Sequence, residues 1–352
     1  MFFIGLGTAT PPNSYTQSEC WDVFRASGLY AGLTRRNQVL AENVLCGNNG
    51  IETRHLSIDS LEEAFDFSPD VMHQRFALHA PRLATEAAEK ALADAGSAAA
   101  DIDAVIVSTC TGYLCPGLTS YLIERLGLGG DVVALDLVGQ GCAAALPNWR
   151  AADALLASAR CERVLSVCVE VCSAAFYIDN DPGVLISAAL FGDSAAAAIL
   201  SREPDPARRR VEWKFAHSLT DPSDRDQLRF DHKGGVLRNI LSLQVPRLAA
   251  KHAAAVLERG LEMAGLKRDQ IAQWIWHAGG RNVLAALQQR MDLKADDLRR
   301  SSALLRRYGN LSSPFVFFVL QDALHDAAPG GWWWVSSFGA GFSCHGALLS
   351  VA

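Results

Sequence analysis

Three short segments of the 352-residue chain carry residue types that together perform covalent chemistry. In the first, Val132-Val133-Ala134-Leu135-Asp136-Leu137-Val138-Gly139-Gln140-Gly141-Cys142 passes from an apolar, strand-like stretch through a glycine turn to a cysteine, with alanines and a helical pattern behind it. A thiol at such a turn faces a cavity, and the positive end of the following helix stabilises its thiolate, the form that attacks. The other reading is a buried, inert cysteine, a common fate of this residue in apolar segments. Pro147 fits best in a first helical turn, so the helix begins near Leu146 and its dipole acts on Cys142 from further away.

An attacking thiol needs a proton acceptor. Of nine histidines, only His277 closes a strongly apolar stretch, Trp274-Ile275-Trp276, with the turn Ala278-Gly279-Gly280 directly after it. That placement leaves an imidazole facing a cavity, although a lone histidine also reads as a satisfied structural residue. In the third segment, Tyr308-Gly309-Asn310-Leu311-Ser312-Ser313-Pro314, a glycine turn puts an amide at the mouth of a helical pattern. Asn310 is then either a helix cap or a neutral donor for a developing oxyanion. Cys, His and Asn in that order at three strand or turn ends are a stronger signal of nucleophilic catalysis than any one of them.

The elements that must position these groups follow from periodicity. Short apolar runs alternate with longer helical patterns, which predicts an α/β protein. Strands are expected at 2–6, 104–108, 132–136, 163–169, 195–200, 271–276, 332–336 and 347–351, and helices at 80–95, 117–126, 149–158, 245–264, 282–289, 301–308 and 315–325. The Pro- and Arg-rich stretch 203–210 is the one linker-like segment, dividing the chain into halves 1–205 and 206–352. Each half ends on a glycine turn feeding a small-residue strand, Phe191-Gly192-Asp193-Ser194 and Phe338-Gly339-Ala340-Gly341. This fits either an internal duplication or a coincidence between two α/β units.

Composition narrows the class. Half of the residues are apolar and a fifth charged, which excludes disorder, collagen-like repeats and small disulfide scaffolds. A net charge of −6 with both signs scattered offers no basic stripe for nucleic acid. Nine cysteines, an odd number partly inside apolar runs, point to free thiols in a reducing cytoplasm, and their spacing lacks the paired pattern of a zinc site. The start lacks the basic region of a signal peptide, and no apolar run reaches the roughly 18 residues of a membrane span. A cytoplasmic, globular protein is expected.

These residues sit in a pattern that resembles the bacterial type III polyketide synthases, the chalcone-synthase-like branch of the thiolase fold. The likeness rests on Gly7-Thr8-Ala9-Thr10-Pro11-Pro12, Gly112 to Gly117 with Tyr121 to Leu128, Gln140-Gly141-Cys142, Ala189 to Asp193, His277 with its double glycine, Tyr308 to Ser313 and Phe338 to Phe342. Sister ketoacyl synthases also use Cys, His and Asn, but there Gln-Ala-Asn typically follows the His; here Ala278-Gly279-Gly280 does.

The resemblance implies a thiolase-like, five-layered αβαβα fold with two pseudo-duplicated halves, a homodimer, and coenzyme A thioesters as substrates with no cofactor or metal. Cys142 then matches the acylated nucleophile, and His277 and Asn310 the pair that drives decarboxylation. Phe191 matches the aromatic gatekeeper, and Cys110, Thr111, Cys172, Ala175 and Ser312 match pocket-lining positions. Gly279, Phe338 and Gly339 fall in substrate-contacting loops, and Cys115 matches a residue that reaches into the partner subunit's cavity.

The pattern is broken in three places. Asn239 stands where a second aromatic gatekeeper is expected, Val44 and Asn48 where coenzyme A phosphates meet basic residues, and Ala340 where plant members have Pro. Small pocket residues and the missing gatekeeper imply room for a long acyl chain. The expected activity is iterative extension of an acyl-CoA starter by malonyl-CoA followed by cyclisation. A fatty-acyl starter giving alkylresorcinols or alkylpyrones is expected first, and malonyl-only naphthalene or benzene products next. The alternatives are a single-condensation ketoacyl-carrier-protein synthase and a non-catalytic dimer partner.

Overall fold

The computed structural model describes residues 1–352. In chain order its strands and α-helices are β1 (Phe2–Ala9), β2 (Ser14–Thr16), α1 (Gln17–Ala26), α2 (Gly28–Ala31), α3 (Arg35–Cys46), β3 (Thr53–His55), α4 (Pro69–Ala95), β4 (Ala104–Ser108), α5 (Leu118–Leu126), β5 (Val133–Leu137), α6 (Ala145–Ala157), β6 (Arg163–Glu170), α7 (Pro182–Leu190) and β7 (Ser194–Ser201). There follow β8 (Val211–Thr220), β9 (Leu228–Lys233), β10 (Val236–Leu241), α8 (Val245–Ala264), β11 (Ile271–Trp276), α9 (Arg281–Met291), α10 (Arg299–Tyr308), α11 (Phe315–His325), β12 (Gly331–Gly339) and β13 (Ser343–Val351).

Nine strands form one mixed sheet in the order β11-β12-β13-β8-β1-β7-β6-β4-β5. The pairing repeats: β4 runs parallel to β6, which is antiparallel to β7, which is antiparallel to β1. Likewise β11 runs parallel to β12, which is antiparallel to β13, which is antiparallel to β8. The two groups meet at a single pair, Phe2 with Glu212, between β1 and β8. This repeat favours internal duplication over coincidence, since the two glycine turns lead into the equivalent strands β7 and β13.

Strand alternation builds the layers. In β4 and β7, Val105, Val107, Ala195, Ala197 and Ile199 join one apolar cluster with α4, while Ala104, Ile106, Ala196, Ala198 and Leu200 face the other, larger one. α4 covers β1, β7 and β6, α8 covers β13, β8 and β12, and α6 and α11 touch strands of both groups. At the centre the ring of Trp149 from α6 meets Phe3 at 4.9 Å and Phe317 of α11 at 4.8 Å, edge-on in both cases.

Several expected boundaries move. The helix expected from residue 80 begins at Pro69, with Pro81 inside it, because Met72 and Phe76 extend its buried face beyond the proline. The helix near Trp149 starts at Ala145, close to the position Pro147 suggested. Helices α1–α3 and α7 and strands β8–β10 were not anticipated.

Candidate active site

Cys142 lies in a 3₁₀ turn, Gly141–Ala143, that feeds α6. Gly141 has φ +55°, a left-handed conformation that a side chain would strain, and its Cα faces Ala340 closely enough that a Cβ would stand 3.1 Å from the Ala340 nitrogen. The end of β12 clasps the same turn: Ser337 Oγ donates to the Ala143 carbonyl at 3.1 Å, and a Cβ on Gly339 would come within 2.7 Å of the Ala143 nitrogen. From below, the buried Asn148 amide donates to Ser108 Oγ and the Val167 carbonyl and accepts from Ser166 Oγ, tying the first turn of α6 to β4 and β6. The cysteine is therefore fixed by both halves of the chain.

His277 follows β11 directly. Its backbone N–H donates to the Ser336 carbonyl at 2.9 Å, and its ring stands edge-on between Phe315 and Phe338, 5.5 and 5.1 Å away. It is 1% exposed, and Nδ1 has no hydrogen-bond partner. Asn310 pairs as a parallel bridge with Phe191; its N–H donates to the Leu190 carbonyl and its carbonyl accepts from Gly192. Its side-chain Oδ1 accepts from the Ser312 N–H at 2.9 Å, and Nδ2 donates to the Gly279 carbonyl at 3.2 Å. The second Nδ2 hydrogen is left for a ligand. Asn310 is thus not a helix cap: α11 begins five residues later, behind Pro314.

The three side chains line one cleft of about 380 Å³, together with Phe191, Gly279, Phe338, Val44 and Asn48. A second, inner pocket joins Cys142 to Cys110, Thr111, Cys172, Ala175, Asn239 and Ser312. Cys142 and Phe191 line both, so Phe191 stands at the boundary between them. Cys115 is exposed on the loop between β4 and α5, outside both cavities.

The inner pocket holds about 30 Å³ of free space, and Phe176, Phe230 and Leu228 line it beside the small residues. Phe230 is the cross-strand neighbour of Asn239 in the β9–β10 hairpin, so the aromatic wall absent at 239 is supplied from the adjacent strand. Sequence reading missed these residues because their place depends on how the hairpin folds over the pocket.

It also missed Glu170, fully buried at the end of β6. Its carboxyl accepts from Cys110 N–H, Thr111 Oγ1 and Ser313 Oγ at 3.0, 3.0 and 2.6 Å and from the Cys110 thiol at 3.3 Å. Ser312 Oγ approaches both Cys142 Sγ at 3.3 Å and Glu170 at 3.4 Å. Burial raises the Glu170 carboxyl above the ordinary range, against the pull of these donors.

Burial also acts on the two titrating groups of the cleft. It pushes the Cys142 thiol up to about 12 and the His277 imidazole down to about 3. Each charge alone is costly here. Desolvation is the leading cause for both groups, so each resting side chain is held in its neutral form.

This geometry agrees with what the chain is similar to. Residues 1–204 match the family model of the N-terminal domain of chalcone and stilbene synthases, and residues 228–351 that of the C-terminal domain. The chain belongs to the chalcone and stilbene synthase family. Among its relatives, 1,3,6,8-tetrahydroxynaphthalene synthase of Streptomyces peucetius subsp. caesius is 32% identical, over 97% of this chain and 91% of that one. The 3,5-dihydroxyphenylacetyl-CoA synthase of Amycolatopsis orientalis is 29% identical, over 99% and 92%.

The crystal structure of 1,3,6,8-tetrahydroxynaphthalene synthase from Streptomyces coelicolor A3(2), a bacterial type III polyketide synthase, superposes with a TM-score of 0.88 at 25% identity, covering 100% of this chain and 99% of that one. The chain is accordingly a type III polyketide synthase of thiolase-like fold and an acyltransferase. Enzymes of this family need no cofactor beyond their coenzyme A thioester substrates. No helix is long and apolar enough to cross a membrane.

Proposed function

We propose that this synthase loads a short acyl group from coenzyme A onto Cys142 and extends it with malonyl-CoA inside a small pocket. The observation that carries this reading is the convergence of Cys142, His277 and Asn310 on one cleft whose inner continuation is small and walled by aromatic rings.

In loading, His277 takes the Cys142 proton, the thiolate attacks the thioester carbonyl, the bond to coenzyme A sulfur breaks, and the departing thiolate recovers the proton from the imidazolium. Malonyl-CoA then places its thioester oxygen toward the His277 N–H and the free Asn310 Nδ2 hydrogen. As the carboxylate leaves as CO₂, its bonding electrons pass into an enolate whose oxygen those donors stabilise. A neutral imidazole serves as such a donor, and burial keeps it neutral between steps. The enolate carbon attacks the acyl carbonyl, and the Cys142 thiolate leaves. Dry walls protect the carbanion from premature protonation.

The small volume of the inner pocket favours a malonyl-derived or similarly short starter over the fatty-acyl starter that the small residues suggested. One observation favours the longer chain. Behind Phe176 lies a separate cavity of about 60 Å³, apolar except for Arg54, that would prolong the pocket if the ring turned aside. Product mass spectrometry with malonyl-CoA alone and with acetyl-, hexanoyl- and palmitoyl-CoA decides between them. Products from malonyl-CoA alone or with the short starters, and none carrying a palmitoyl chain, are expected. Efficient palmitoyl incorporation by the native protein contradicts the short-starter reading.

We further propose a boundary between the halves at 205/206, in the exposed turn between β7 and β8, and a homodimer formed through β5. That strand is the free edge of the sheet, yet it is apolar and largely uncovered, with Val138 beyond it 60% exposed and Tyr113 nearby in sequence to β4 72% exposed. The loop carrying Cys115 precedes α5, which packs on β5.

A further inference from the structure

The outer cleft is almost uncharged. Its walls are apolar side chains and asparagine amides, and the only formally charged residue lining it is Arg281, the first residue of α9. The stem of that arginine is seated: Gly50, in the turn after α3, approaches it so closely that a Cβ there would stand 3.1 Å from Arg281 Cβ. The residue is otherwise exposed, and none of the chain's ion pairs includes it, whereas Arg300 and Arg306 both pair with carboxylates.

A coenzyme A thioester brings a diphosphate and a further phosphate to the mouth of this cleft, on a protein of net charge −6. Amide donors such as Asn48 and Asn282 supply hydrogen bonds without balancing that charge. A guanidinium supplies both, with two parallel N–H groups matched to phosphate oxygens, and the positive end of α9 adds to the same field. We infer that Arg281 is the residue that holds the phosphates of the incoming coenzyme A thioester, and thereby selects coenzyme A thioesters over thioesters lacking the nucleotide. Val44 and Asn48 face this cleft from α3 and the turn after it, and the charge comes instead from the first residue of α9, which packs beside that turn. The inference rests on the proposed use of coenzyme A thioesters.

Steady-state kinetics with malonyl-CoA and with the malonyl thioester of N-acetylcysteamine test it in the native protein, Arg281→Ala and Arg281→Lys. Loss of the charged contact raises KM for malonyl-CoA roughly ten-fold at unchanged kcat, since a phosphate contact is made equally in ground and transition states. Lysine restores the charge without the parallel donors and recovers part of the loss, and the N-acetylcysteamine thioester shows the same KM in all three proteins. Equal changes for both thioesters, or none for either, overturn the inference.

Calorimetric binding of coenzyme A and of pantetheine needs no turnover. Coenzyme A binding weakened about ten-fold in Arg281→Ala, with pantetheine unaffected, supports the assignment. Undiminished coenzyme A binding in the variant, or a native protein that binds coenzyme A no better than pantetheine, overturns it. If Arg281-dependent binding occurs but no polyketide forms, the proposed function fails and the inference stands.

Discussion

At the scale of residues, the account turns on two groups that burial drives in opposite directions, a thiol pushed up to about 12 and an imidazole held down to about 3. Each is thereby held neutral near neutrality, and the proposed loading step requires the proton to pass from the thiol to the imidazole. With His277→Gln the cysteine keeps its burial and loses its proton acceptor. If the imidazole accepts the thiol proton in the native protein, iodoacetamide alkylates Cys142 half-maximally at a higher pH in the variant than in the native protein. An unshifted profile, read by peptide mass spectrometry, would mean that the two do not act as a unit. The three residues of the proposed reaction were legible as candidates in sequence because each follows an apolar run or a glycine turn, signals that survive without tertiary knowledge. Glu170, Phe176 and Phe230 carry no such mark. Glu170 closes an ordinary buried strand, and the two phenylalanines gain their meaning only when β9 and β10 close over the pocket.

At the scale of elements, stability and site geometry share the same strands. His345 of β13 lies opposite Ser218 of β8 and bonds its Oγ through Nδ1 at 2.7 Å. Burial, with Arg150 nearby, holds this imidazole down at about 4. The unfolded chain takes up the same proton near 6.5, so between pH 6.5 and 4 the unfolded state binds more protons and stability falls as the pH falls. At pH 5 the cost is about 2 kcal/mol relative to pH 7. Denaturant melts at both pH values should show a smaller acid loss for His345→Gln, by about that amount; equal losses in variant and native protein would refute the assignment.

The strands buried along their whole length, such as β4 and β6, were readable from sequence because burial on both faces demands apolar runs. β9 and β10, Leu228–Lys233 and Val236–Leu241, mix charges with apolar residues because only the first residue of each is fully buried and the rest are half-covered or exposed. No simple period survives in them.

At the scale of the whole molecule, the repeated pairing of β4-β6-β7-β1 and β11-β12-β13-β8 brings Cys142 from one group and His277 and Asn310 from the other to a single cleft. The glycine turns at the ends of both halves gave a visible trace of that repeat, whereas the meeting of β1 with β8 through one residue pair had none. The uncovered edge β5 predicts association. Light scattering after size exclusion should give twice the chain mass, and Val133→Asp with Val138→Asp should give the monomer with a native circular dichroism spectrum; a monomeric native protein contradicts this. All of these expectations depend on Cys142 being the residue that carries the growing chain. The most direct test is intact-protein and peptide mass spectrometry after brief exposure to an acyl-CoA starter, beside Cys142→Ala. The account predicts one acyl adduct per chain, on the Cys142 peptide and absent from the variant. An adduct on Cys110 or Cys172 instead, or one that persists in Cys142→Ala, would contradict it.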